Sequence, residues 1–179
     1  MNADQLRALQ APLKALYRDQ PEHAVFTVRA QGKPGEGITC RLHTAQGDVT
    51  AGLHPVAGGS GQEACSGDML MEALVACAGV TLQAVATALG IQLRDATVHA
   101  EGDIDSRGTL GISKDAAVGF RHIRLRFDLD TDASDEQVAT LVKLTERYCV
   151  VYQTLAQPPL LSANHRRISA RGFGHPSAG

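Results

Sequence analysis

Two cysteines lie inside the two most apolar segments of this chain, Cys77 in LVACAGVTL and Cys149 in ERYCVVYQTL. Both segments read as buried helices, and thiols on two such helices of one small domain can face each other in its core. A pair of this kind supports redox chemistry, because one oxidised sulfur can condense with the other to a disulfide. A single thiol on a buried helix is ordinarily inert filler, so the chemistry depends on the two meeting. Cys65 is a rival nucleophile: it stands just before Ser66, a good N-cap, where the start of a helix favours an anion. Cys40 completes the four cysteines and reads as a small core residue of a strand. Their wide spacing is not that of a secreted disulfide framework, and no CxxC pair offers a zinc site. A metal site built from Cys65, His54 and another histidine has no recognisable ligand spacing, and neither metal nor cofactor is expected.

The elements that must position these residues follow from periodicity. Leu6, Leu9, Leu13, Leu16 and Tyr17 recur at helical spacing, which predicts an opening amphipathic helix that ends near Pro21. A β region follows: HAVFTVRAQ, a GKPGEG turn, GITCRLHTA, a tight QGD turn and VTAGLHPV, with Ile38, Cys40 and Leu42 on one face. From Asp68 to Gly90 the chain is apolar nearly all round, a helix of about six turns that needs cover on most sides. Strands are predicted in IQLRDATVHAEGDID and VGFRHIRLRFDLDTD, where Ile123, Leu125, Phe127 and Leu129 alternate with charged residues. Ser134 and Gln137 form a capping-box pattern that opens the helix carrying Cys149, which Pro158 and Pro159 stop. HRRISARGF reads as a final strand and HPSAG as a loose tail. This order argues an α+β domain with helices grouped against a mainly antiparallel sheet. A second subunit is the simplest cover for the long apolar helix.

Composition narrows the function. The chain has 179 residues, 44% hydrophobic and 20% charged, with a formal net charge of −2. That is the make-up of one soluble globular domain. Interleaved charge leaves no electrostatic footprint for nucleic acid or a membrane surface, so the expected partners are small molecules or other proteins. The first segment, MNADQLRALQAPLKALYRD, carries charges throughout and is no secretory signal. Asp68, Glu72, Gln83 and the threonines interrupt the best candidate for a bilayer span. A cytoplasmic location, where the thiols start reduced, is the expectation.

The two cysteine segments, ALVACAGVTLQAVATALGI and ERYCVVYQTL, with VHAEGDID and GFRHIRLRF between them, resemble the OsmC/Ohr superfamily over roughly residues 23 to 171. The division that follows is an N-terminal helical extension, 1–21, and an OsmC-like domain, 22–174. The resemblance implies two central buried helices wrapped by antiparallel sheets in an intertwined homodimer, with sites at the dimer interface. It also implies a thiol peroxidase acting on small organic hydroperoxides. Cys77 would attack the terminal peroxide oxygen, Cys149 would resolve the sulfenic acid to a disulfide, and a dithiol or lipoyl-type reductant would reopen it.

The chain departs from that pattern in two places. The family's peroxidases carry a glutamate ten residues before the first cysteine, in an Asn-Pro-Glu start, and an arginine on the preceding strand. Here the first position is Gly67, next to Asp68, and the strand VTAGLHPV offers His54 but no arginine. A mid-helix thiol gains little from the helix dipole, so an apolar Cys77 is expected to have its pKa raised unless a cation lies close. His54, Arg29 and Arg41 are the candidate cations, although both arginines read as solvated strand residues. Asp68 is the candidate replacement for the glutamate, and Glu72 reads as an exposed charge of the helix edge. Met69, Leu70, Val80 and Tyr152 are candidates for an apolar substrate lining. The competing reading keeps the fold without catalysis, as an OsmC-like dimer that binds a small apolar ligand or senses redox state.

Overall fold

The structure, a computed structural model, describes residues 1–167. Helix α1 (Ala3–Asp19) is opened by a capping box between Asn2 and Gln5 and ends one residue short of Gln20 and Pro21. It runs against the C-terminal part of the long helix with none of its own residues buried. Its apolar stripe stays largely open, with Leu9 and Leu13 exposed.

The segment expected as the first strand is not one. Residues 25–31 have no regular structure, and Val25, Phe26 and Val28 are exposed. Alternation gives a segment the capacity to be a strand, but a strand also needs a neighbouring backbone to bond, and among the described residues none pairs with it. Pairing begins within the expected turn, where β1 (Gly32–Pro34) runs antiparallel to β2 (Thr39–Thr44). Two residues, Ala45 and Gln46, connect β2 to β3 (Gly47–Gly52), and the register runs from Thr39↔Gly52 to Thr44↔Gly47. A two-residue β4 (Ala64–Cys65) adds in parallel to β3, giving the order β1-β2-β3-β4. Cys40 and Leu42 are half-buried as the alternation predicts, while Ile38, on the same face, is exposed.

Helix α2 (Ser66–Leu89) is the long apolar helix, and its N-cap is Cys65 rather than Ser66. It stops where Gly90 takes φ 70°, a left-handed conformation that glycine adopts without a Cβ clash, and the Gly90 N–H closes onto the carbonyls of Ala86 and Thr87. Leu74, Ala78, Leu82, Val85 and Ala86 are its buried residues, spaced as one helical face. This face packs on β5 (Asp95–Ile104) and on helices α4 (Asp135–Tyr148) and α5 (Val150–Ala156). The opposite face is open, with Val80 74% exposed. Length and hydropathy alone would let α2 cross a bilayer, despite Asp68, Glu72 and Gln83; its packed face is that of a core helix.

β5 and β6 (Phe120–Asp130) form a separate antiparallel ribbon, joined through the single turn α3 (Ser106–Thr109). Ile123, Leu125, Phe127 and Leu129 turn inward as expected. The outer face carries an ion-pair ladder, in which Arg124 bridges Glu101 and Asp103 and His99 meets Asp128. The expected capping box at Ser134 and Gln137 opens α4. The architecture is thus mixed α+β, helices against two sheets, one a ribbon and one a small mixed sheet rather than a single one. Most of the predicted final strand, from residue 168 onward, and the tail lie outside the described residues.

Candidate functional site

The helix expected to carry Cys149 in its interior breaks at that residue. Cys149 has φ −73° and ψ 108°, an extended conformation that ends α4 and serves as the N-cap of α5. The hydrogen-bond ladder closes neatly around it: its N–H donates to the Thr145 carbonyl and its carbonyl accepts from Gln153 N–H, each at 2.9 Å. The first turn of a helix has N–H groups with no partner in the helix itself. In α5 these groups turn to sulfur. Tyr152 N–H donates to Cys149 Sγ at 3.4 Å, and the N–H groups of Val151 and Val150 lie near enough to Cys77 on α2 to lower its thiol pKa.

The two thiols lie in one apolar cluster, and each affects the pKa of the other. Cys149 is completely buried and Cys77 half-buried. Burial pushes Cys77 up, but the Val151 N–H, the Cys149 thiol, the Val150 N–H and the Thr81 hydroxyl together outweigh it and hold Cys77 below its ordinary value. The Thr81 hydroxyl lies one turn along α2 and reaches the Cys77 carbonyl at 2.7 Å. Cys149 goes the other way. Burial raises it, the Tyr152 N–H offsets part of this, and the adjacent Cys77 raises it further. The pair is therefore asymmetric, with the lower pKa on Cys77 and the higher on Cys149.

Within one chain, Cys77 is lowered without a cation. None of the groups that lower it is a lysine, arginine or histidine; the work is done by backbone dipoles at the start of a second helix and by the partner thiol. Arg29 and Arg41 are exposed. His54, Cys65 and Asp68 are brought together, but elsewhere, in the lining of a cavity at the N-terminal end of α2. Asp68 precedes Cys77 by nine helical residues, about 14 Å along the axis, so within one chain this group does not reach the thiol pair. Glu72 is exposed.

Of the expected apolar lining, Tyr152 packs beside the thiols, with Leu74, Val151, Leu155, Ile123 and Leu125. Val80 faces outward, and Met69 and Leu70 lie about two turns away. A cavity of about 320 Å³ adjoins the thiol cluster: Leu74, Ile123, Leu125, Tyr152 and Leu155 belong to both, and Phe120, Arg121, His122 and Ala156 complete its lining. The sequence reading missed the break at Cys149 and the donors it frees. The available signal was the β-branched pair Val150–Val151 directly after the cysteine, which weakens a helix at that point.

Fold and site together define a class: an α+β protein in which a long core helix presents one thiol to a second, capping thiol at the start of another helix. The sequence profile of the OsmC-like proteins matches residues 59–163, and the chain belongs to that family. Among solved structures, it is similar to an OsmC-like protein from Mycoplasma pneumoniae, at 16% identity and a TM-score of 0.63, over 74% of this chain and 89% of that one. An organic hydroperoxide resistance protein from Elizabethkingia anophelis gives 15% identity and a TM-score of 0.61 over 75% and 91%. The organic hydroperoxide resistance protein OsmC of Legionella pneumophila gives 16% and 0.59 over 74% and 93%. At these identities the likeness establishes the fold. No curated protein matches the chain.

Proposed function

We propose that this protein is a thiol-dependent peroxidase of small organic hydroperoxides, with Cys77 as the attacking sulfur and Cys149 as the resolving one. The observation that carries this reading is the asymmetry of the pair: Cys77, the more open of the two, has its thiol pKa lowered, and Cys149 beside it is completely buried with its pKa raised. In the first step, the Cys77 thiolate attacks the terminal oxygen, the O–O bond breaks, and the alkoxide takes a proton and leaves as the alcohol. Cys77 becomes a sulfenic acid. Cys149 then gives up its proton and attacks the Cys77 sulfur, the hydroxyl leaves as water, and a disulfide remains. An external dithiol, of the lipoyl type or similar, is oxidised as it reduces that disulfide.

The site contributes what each step requires. The Val150 and Val151 N–H groups stabilise the thiolate before attack, and the resolving sulfur is already in the same apolar cluster as the attacking one. The adjoining cavity, with aliphatic and aromatic walls, suits alkyl peroxides better than hydrogen peroxide. The protein works as a homodimer in this reading, in which a second copy would cover the open face of α2 around Val80 and the exposed Val25, Phe26 and Val28. The test is direct. Reduced protein is mixed with a small molar excess of cumene hydroperoxide, and the thiols are followed by intact mass and peptide mapping. A Cys77–Cys149 disulfide forming with loss of one cumyl alcohol equivalent is the expected result; a Cys77 thiol that persists discards the reading.

A further inference from the structure

We propose that Gln153 is a positioning residue for the thiol pair: its side-chain amide takes the carbonyl that the break at Cys149 leaves without a helical partner, and so keeps the start of α5 turned toward Cys77. The role deepens the function proposed above and rests on it for Cys77 as the attacking sulfur. In an unbroken helix the Val150 N–H would donate to the Glu146 carbonyl, four residues back. The Cys149 ψ of 108° lies about 150° from the helical value of about −42°. It swings the next peptide group, which carries that N–H, off the α4 axis. Among the described residues the backbone ladder skips this step, with Cys149 N–H on the Thr145 carbonyl before the gap and Gln153 N–H on the Cys149 carbonyl after it. The Glu146 carbonyl accepts instead from Gln153 Nε2 at 2.9 Å.

Gln153 thus ties both sides of the break. Its backbone N–H holds the Cys149 carbonyl at 2.9 Å, while its side chain, leaning toward the start of α5 as helical side chains do, reaches the last turn of α4. The orientation of the amide follows from chemistry, because a carbonyl only accepts and the NH2 end must face it. The neighbouring donor Arg147 is engaged elsewhere, over the Tyr148 ring, 5.5 Å from its centroid. At seven residues, α5 is too short to hold its direction by its own hydrogen bonds. Without the amide, the donor that an ordinary helix would use for the Glu146 carbonyl is the Val150 N–H. Taking it would straighten the chain through Cys149 and withdraw from Cys77 one of the groups that lower its pKa. Cys149 and Tyr152 are the titratable side chains of the apolar cluster around Cys77, and no lysine, arginine or histidine is among the groups that shift it.

The test is the pH profile of Cys77. Reduced full-length protein is alkylated with iodoacetamide across a pH series, and the rate at Cys77 is read by peptide mass. Gln153→Met keeps the length of the side chain and removes its donor. It is expected to raise the midpoint by about half to one pH unit, which lowers the thiolate fraction about three- to tenfold at low pH. After the gain in nucleophilicity the rate there falls about two- to threefold. Gln157→Met makes the same chemical change at the exposed end of α5 and is expected to leave the curve in place. Gln153→Lys keeps a donor within reach of the carbonyl. Its midpoint is expected not to rise, at low salt or in about 1 M potassium chloride, where the added charge is screened within about 3 Å. By NMR, the Val150 amide proton is expected to follow the titration of Cys77 in the parent and to lose that response in Gln153→Met. A Gln153→Met curve that coincides with the parent's, or a Gln157→Met curve that moves as far, overturns the role. If Gln153→Met does not fold, a Gln153→Lys midpoint that rises at high salt overturns it. Alkylation uses no peroxide, so a protein that shows these midpoints but leaves cumene hydroperoxide intact discards the peroxidase and keeps Gln153 as the residue that positions the pair.

Discussion

Replacing Cys149 by alanine tests the electrostatic core of the site. The Cys149 side chain is one of the groups that lower the Cys77 pKa, and a hydrogen bond to a charged group is worth about 1.5–3 kcal/mol. Because Cys77 is half-buried, water replaces part of the lost bond, and the lower figure applies. A loss of about 1.4 kcal/mol corresponds to a tenfold smaller thiolate fraction at any pH below both pKa values. A more basic thiolate is also a better nucleophile, with a Brønsted slope of about 0.4–0.5, which returns about threefold in rate. The net expectation for Cys149→Ala is that iodoacetamide reacts with Cys77 about three- to fourfold more slowly at low pH. Above the plateau the variant should react about threefold faster. The two pH–rate curves therefore cross. Cys149→Ser, whose hydroxyl can still donate to Cys77 and accept from Tyr152 N–H, should fall close to the parent curve. Alkylation isolates thiolate formation from peroxide recognition. A Cys149→Ala curve that coincides with the parent's, or lies above it at low pH, would refute the claim that the neighbouring thiol lowers Cys77.

Three further outcomes are expected. Leu141→Ala, at a fully buried position where α4 packs on α2, should lower the unfolding free energy by about 2–5 kcal/mol in a urea titration; an unchanged midpoint would mean the α2–α4 contact is not part of the core. Gly102→Val places a Cβ on the Phe120 ring and should cost about 1–3 kcal/mol by the same measurement, with Phe120 displaced. Asp105 is held at about 2, chiefly by the Arg107 side chain and N–H, against an ordinary 3.8. A depressed carboxylate stabilises the fold above its ordinary value and loses that contribution as pH falls through the lowered one, so the Asp105–Arg107 pair should survive until about pH 2. An NMR titration of the Asp105 carboxyl carbon with a midpoint near 3.8 would contradict it.

Much of this arrangement is present in one-dimensional pattern. The Leu6–Tyr17 stripe, the alternation of Ile123 to Leu129, the Ser134–Gln137 box and the apolar run closed by Gly90 each state a local preference that the chain satisfies. Those signals suffice for the element order and for the two segments that carry Cys77 and Cys149, because helix and strand periods are properties of neighbouring residues. The strand expected at 23–31 fails for the complementary reason: whether an alternating segment pairs depends on a backbone edge supplied from elsewhere in space.

The site divides along the same line. The amino-acid sequence by itself determined which thiols are available and that each rides on an apolar helix. Only the tertiary structure decided what lowers the pKa of one of them. The donors are the N–H groups of Val150 and Val151, which every residue but proline possesses and no motif can mark, and they are free because the helix breaks at Cys149. Their effect on Cys77, 73 residues away in the chain by the numbering, falls off within the first turn of a helix, so it exists only where packing of α2 against α4 and α5 brings the two segments into contact.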